Sequence, residues 1–166
     1  MKSDECVNYE ITPNSKGKID LWLKKFPPHE RQSGLIYALL QVQDDNGGWL
    51  NNAQIEAVAT YLKVPKIAAY EVATFYTMFD LKPCGQYKIS ICTNVSCLLN
   101  DSEKVVKFLK QKLDIGFNET TLDGRFTLKE VECLAACSGA PVVQIDKTYH
   151  EKVTPKRMAE ILGELT

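Results

Sequence analysis

An excess of positive or negative charge is missing from this 166-residue chain: 20 Lys and Arg stand against 21 Asp and Glu, for a formal net charge of −1. Without a basic excess there is no electrostatic footprint for nucleic acid or an anionic lipid surface, so partners recognised mainly through positive charge are excluded. Long apolar runs are missing too. No stretch of about 18 apolar residues is present, so no membrane-spanning helix is expected. Met1 to Glu10 is polar and lacks the apolar core of a secretory signal, which makes the cytoplasm the expected compartment. Histidine is scarce, with only His29 and His150. No Rossmann glycine fingerprint, P-loop, nucleophile elbow or clustered acid–base pair occurs, and no substrate pocket of its own is expected.

What is present first is an ordinary globular composition, 45% hydrophobic and 25% charged, long enough for one domain or two small ones sharing a core. Residues 1 to 14 have no apolar period and read as a loose lead-in, with Cys6 in it and without a role. Ile19, Trp22, Leu23 and Phe26 have the spacing of a first helix, which Pro27-Pro28 stops because neither proline has an amide hydrogen to donate. A second helix is predicted from Arg31 to Asp45, released by Gly47-Gly48. Asn51 caps a third, with Gln54 at the reciprocal position of a capping box. Pro65 opens a fourth, whose Ile67, Tyr70, Val72, Phe75, Tyr76 and Phe79 form a broad apolar face. That face is read chiefly as bundle core, the rival being a surface that docks another subunit.

The period changes across Lys82-Pro83-Cys84-Gly85, and the domain boundary is placed there, giving 1–82 and 83–166. Tyr87 to Cys92 alternates as a strand, Thr93 to Asn100 reads as a loop, and a helix beginning near Asp101 or Ser102 carries Val105, Val106, Phe108, Leu109 and Leu113. After the turn at Asp123-Gly124, a strand is predicted from Phe126 to Cys133. Because a crossover helix leads to it, it lies parallel to the first, so the loops that follow the two strands emerge on one edge of the sheet. Val142 to Ile145 and Thr148 to His150 form a hairpin about Asp146-Lys147, and Thr154-Pro155 opens a last helix. The fold class is α+β: an N-terminal helical bundle followed by a small mixed sheet in thioredoxin-like order.

Those two loops carry four of the six cysteines, as Cys92-x4-Cys97 and Cys133-x3-Cys137. In a reducing compartment they read as metal ligands rather than disulfides. A structural zinc interaction module with four cysteine ligands is one reading, although zinc knuckles usually space their ligands more tightly. Thiol–disulfide chemistry is a weaker one, because neither pair is Cys-x-x-Cys at a helix start. The preferred reading is an iron–sulfur centre, for which a four-residue gap has precedent. Ala135, Ala136, Ser138, Gly139 and Ala140 would let backbone approach the sulfurs, and Asn94 and Ser96 could offer donors. Neither histidine lies in a cysteine loop, which leaves ligation to cysteine alone. Cys84, upstream of the strand, reads as a spare thiol.

The run Tyr70-Glu71-Val72-Ala73-Thr74-Phe75-Tyr76-Thr77-Met78-Phe79, the two cysteine pairs, Asp123-Gly124-Arg125-Phe126 and Glu132-Cys133-Leu134-Ala135-Ala136-Cys137 together resemble the E-type subunit family of NADH:quinone oxidoreductase, respiratory complex I. The resemblance extends from about Pro27 onward. It implies a thioredoxin-like 2Fe-2S ferredoxin domain behind a helical bundle, with Cys92, Cys97, Cys133 and Cys137 as ligands. It implies no turnover by this chain alone: FMN and the NADH site belong to a flavin-bearing partner subunit, and a neighbouring iron–sulfur subunit is a second partner. Hydride reaches that FMN as two electrons, and the 2Fe-2S cluster exchanges them singly. The implied place is the peripheral arm on the cytoplasmic face of the bacterial inner membrane. The cysteine pattern is shared with subunits of NAD-linked hydrogenases and formate dehydrogenases. Relatives carry glycine where this chain has Ala135 and again near Asp101; an alanine is accommodated there if its φ is negative, and a carboxylate near the cluster disfavours reduction.

Overall fold

The computed structural model describes residues 9–165; Cys6 lies outside them. The chain divides between Pro83 and Cys84 into two compact units.

The first unit is helical. Helix α1 spans Pro13–Leu23, with Thr12 accepting from the Ser15 amide as N-cap and proline in its first turn. It therefore begins before Ile19, and the lead-in is shorter than the apolar pattern implied. Capping starts this helix: Pro13 to Gly17 has no large apolar residue to register a period, while Thr12 and Ser15 both donate to Asp45 Oδ2, at 2.9 and 2.7 Å. A 3-10 turn at Arg31–Gly34 leads into α2, Leu35–Asp45. Gly47 and Gly48 then reverse the chain at φ +67° and +92°, where a Cβ is disfavoured. Helix α3, Asn52–Leu62, starts with the capping box formed by Asn51 and Gln54.

Helix α4 spans Lys66–Phe75 and buries Ala69 and Ala73 rather than its aromatic residues. Phe75 is 77% exposed, and Ile67, Tyr76 and Met78 are exposed as well. The broad apolar face is thus divided: Phe79 is in the bundle core with Tyr70 and Val72 packed against it, while Ile67, Phe75 and Tyr76 are left outside. Small alanines let α4 pack closely, and those three larger side chains are left facing outward. Buried Gln43 holds the segment after α4 by donating to the Met78 carbonyl and accepting from the Asp80 amide.

The second unit is a five-stranded mixed sheet in the order β2-β3-β1-β4-β5. Strand β1, Tyr87–Cys92, is followed by the short helix α5, Val95–Leu99, where the sequence suggested only loop, and then by α6, Ser102–Leu113. Strand β2, Glu119–Thr120, pairs antiparallel with β3, Phe126–Val131. Strand β3 runs parallel to β1 and stops two residues short of Cys133, which lies in the loop beyond it. The hairpin of β4, Val143–Ile145, and β5, Thr148–His150, joins the other side of β1, and α7, Pro155–Glu164, closes the chain. Ile89, Ile91, Leu128, Val143 and Ile145 from the sheet pack with Val105, Leu109, Met158 and Ile161 from α6 and α7. At the entry to this unit, a Cβ on Gly85 would lie 2.9 Å from backbone atoms of Arg125 and Phe126, so only glycine fits.

Candidate metal centre

The register of the parallel pair places the site. Cys92, the last residue of β1, stands opposite Val131, the last of β3, so both strands end on one edge. The Thr93 amide reaches the Val131 carbonyl at 3.2 Å beyond the final pair, and the Cys92 amide reaches the Val142 carbonyl at 3.2 Å. One loop leaves that edge into α5, whose N-cap Asn94 accepts from the Val95 amide at 2.7 Å. The other passes Cys133 and enters a 3-10 turn at Cys137–Gly139.

Cys92 and Cys97 are buried, at 3% and 2% exposure, and pack with Leu134 and Val142. Cys133 and Cys137 are exposed. Burial pushes the Cys97 thiol above its ordinary value; the Val142 amide opposes this by hydrogen-bonding the sulfur, while neighbouring Cys92 and Cys137 add to it. Leu134, between Cys133 and Cys137, packs with Cys92 and Cys97 and so ties the second loop to the first. Cys133 is reached by its own loop: the Ala135 amide donates to Cys133 Sγ at 3.2 Å. Among the described residues, no three His, Cys, Asp or Glu side chains form a compact group of the kind that holds a single metal ion.

An activated dithiol has its thiol held low by a helix start or a cation; Cys97 is pushed the other way. A metal cation reverses the penalty on a buried thiolate. Four thiols from two loops, two of them receiving backbone N–H, fit a thiolate-ligated centre with amide support to its sulfurs.

Several expectations about the loops change. Asn94 spends its side-chain oxygen on the α5 cap. Gly139 is small because Glu151 needs the space: a Cβ there would lie 2.3 Å from the Glu151 carboxyl carbon. Ala135 has φ +54°, and Asp101 has φ +68°. The alanine is therefore not accommodated by a negative φ, and Asp101 is left-handed as well. Asp101 is exposed and paired with Lys104 Nζ at 3.0 Å, so a cation offsets its charge. His29 is exposed, His150 lies in β5, and half-buried Cys84 precedes the opposite end of β1 from Cys92.

A thioredoxin-like sheet with cysteines on two loops at one strand edge defines the class: a ferredoxin-type protein built to hold a metal–sulfur centre. The family of thioredoxin-like [2Fe-2S] ferredoxins matches residues 19–166, and the chain belongs to it. Its cofactor is a 2Fe-2S cluster, which decides between iron–sulfur and zinc where spacing alone did not. The E-type subunit of the NADH-quinone oxidoreductase of Rickettsia conorii is 48% identical over 161 residues, covering 97% of this chain and 96% of that one. The mitochondrial NADH dehydrogenase [ubiquinone] flavoprotein 2 of Dictyostelium discoideum is 36% identical over 163 residues, covering 98% of this chain and 66% of its own. An air-oxidised NAD+-reducing [NiFe]-hydrogenase has the same fold over 80% of this chain and 22% of that one, with a TM-score of 0.68 and 19% identity.

Proposed function

We propose that the chain is the electron-transfer subunit of an NADH:quinone oxidoreductase, in which Cys92, Cys97, Cys133 and Cys137 hold the 2Fe-2S cluster. The observation that carries the ligand set is the common edge of β1 and β3, where Cys92 and Cys97 pack with Leu134 of the loop that bears Cys133 and Cys137. When bound, such a cluster supplies reversible one-electron exchange.

The chain's own residues divide the work around it. Cys92 and Cys97 anchor the site in the apolar cluster with Leu134 and Val142, which excludes water on that side. The Val142 and Ala135 amides direct hydrogen bonds at Cys97 and Cys133, stabilising negative charge on sulfur. Exposed Cys133 and Cys137 form the side from which a partner's redox group is approached. That partner is the flavin- and NADH-binding subunit, whose FMN exchanges electrons with this chain, and a neighbouring iron–sulfur subunit is the second. Residues 83–166 are the ferredoxin domain. Residues 1–82 are the helical-bundle domain, in which exposed Phe75 and Tyr76 line a surface hollow with Glu71, Val72 and Thr74 and dock a subunit.

Among the described residues no helix is long and apolar enough to cross a membrane. We place the chain in a peripheral arm on the cytoplasmic face of the bacterial inner membrane. Substrate turnover belongs to the assembled complex.

Anaerobically purified protein tests the reading. It should be coloured, contain two iron and two labile sulfide per chain, and give a low-temperature electron paramagnetic resonance signal on reduction. A colourless protein holding one zinc sinks it. Copurification separates the complex from NAD-linked hydrogenase or formate dehydrogenase: quinone-reductase subunits are expected, not a soluble catalytic chain.

A further inference from the structure

The link between β5 and α7 straps the loop that carries Cys137. The Lys152 amide donates to the Gly139 carbonyl at 2.6 Å, and the Val153 amide to the Pro141 carbonyl at 3.0 Å. Glu151 begins this strap, and its carboxyl group rests on Gly139, occupying the space a Cβ would fill, with Oε2 2.4 Å from that Cβ position. Gly139 closes the turn that Cys137 opens. No Lys, Arg or His pairs with Glu151 among the described residues. Asp101, the other carboxylate considered near the site, is offset by Lys104. Glu151 therefore leaves a full negative charge against the ligand loop.

We infer that Glu151, seated without a cationic partner on the Cys137 loop, lowers the affinity of the centre for an electron. The inference rests on the ligand set proposed above. Gaining one electron makes the centre more negative by one unit, with no bond made or broken in the protein, and an unpaired carboxylate nearby opposes that change. Glu151 acts as a positioning residue through its charge and touches no reacting atom. Because it is exposed, water and salt weaken the effect but do not reverse it.

The test uses the full-length, cluster-loaded chain equilibrated with a one-electron mediator at fixed ambient potential, the reduced fraction being read by absorption. Glu151→Gln keeps the shape and removes the charge. It should raise the ratio of reduced to oxidised protein roughly two- to threefold at low salt, the order Coulomb's law gives for a nearby unit charge in water. Raising the ionic strength to about 1 M should shrink the difference, because the screening length falls to about 3 Å. Glu151→Asp should stay close to wild type. Gly139→Ala, whose Cβ displaces the carboxyl group, should move the ratio in the same direction as Glu151→Gln by less.

An unchanged ratio in Glu151→Gln overturns the inference, and so does a shift that salt leaves untouched, which would report shape rather than charge. Loss of the cluster in Glu151→Gln also overturns it, because a residue acting only through charge is not needed for assembly. If the wild-type chain itself carries no 2Fe-2S absorption, the proposed function has failed instead.

Discussion

Ala135 presents its amide to Cys133 Sγ at 3.2 Å while holding φ at +54°. A side chain in that region crowds the following carbonyl, at a cost of about 1 kcal/mol. The loop accepts this strain in order to aim the amide at sulfur. Ala135→Gly keeps the donor and removes the crowding, so the loaded protein should gain up to about 1 kcal/mol in denaturant unfolding followed by circular dichroism. A loss of stability would show that the alanine methyl packs usefully, contrary to its exposed position.

Cys84 and Cys133 make a matched comparison. Cys84 precedes the start of β1 and Cys92 ends it; six residues at about 3.3 Å each set the two far apart. Cys84→Ser should leave iron and labile sulfide at wild-type levels. Cys133→Ser should lower both or destabilise the cluster, read by absorption and iron content. Cluster loss in Cys84→Ser would overturn the ligand set.

How much was legible follows from what each element rests on. β1 and β3 announce themselves because Ile89, Ile91 and Leu128 alternate with residues on the other face, and their parallel pairing follows from the helix between them. Asn51 with Gln54, and Thr154 with Pro155, are local capping signals, and they hold. The start of α1 rests on capping by Thr12 and Pro13 alone, with no apolar period to mark it. Helix α5 is barely more than one turn, and two-residue β2 is recruited by pairing with β3 rather than by any pattern of its own. Periodicity finds an apolar face but not what covers it, so Phe75 could be placed on a face without being placed in the core. In the site, the crossover order of the two strands indicated the edge their loops share, while the division into a buried and an exposed pair depends on Leu134 and Val142 closing over one side only.

Tyr61 donates to Asp20 Oδ1 at 2.7 Å. Burial, then that hydrogen bond and the Asp20 charge, push its pKa from 10.0 up to about 12, with Arg31 pulling slightly the other way. The folded state thus holds this proton more tightly than the unfolded one. Its stabilising contribution is fully present below pH 10 and is lost as pH rises through about 12. Urea unfolding between pH 9 and 12 should show stability falling with pH, less steeply in Tyr61→Phe. Some slope should remain, since Tyr70 and Tyr9 are also raised, chiefly by burial. An identical slope in the variant would mean that folding does not raise the Tyr61 pKa.

Phe75 lies at the end of α4, edge-on to Tyr76 with ring centroids 5.2 Å apart, and its own ring is left largely uncovered. Covering an exposed phenyl ring is worth roughly 1.5–3 kcal/mol, so a partner that seats it gains an anchor the isolated chain does not use. Phe75→Ser loses little internal packing, and the chain's own stability should change by no more than about 0.5 kcal/mol. Assembly should respond differently, with affinity for the proposed flavin-bearing partner falling roughly 10- to 100-fold in a copurification or titration assay, while iron content stays at wild type. Because the cysteines lie in the other unit, a change in cluster content would not be expected from lost docking. Undiminished assembly would remove Phe75 from the interface. A drop of about 2 kcal/mol or more in the isolated chain would mean the ring is covered in solution after all.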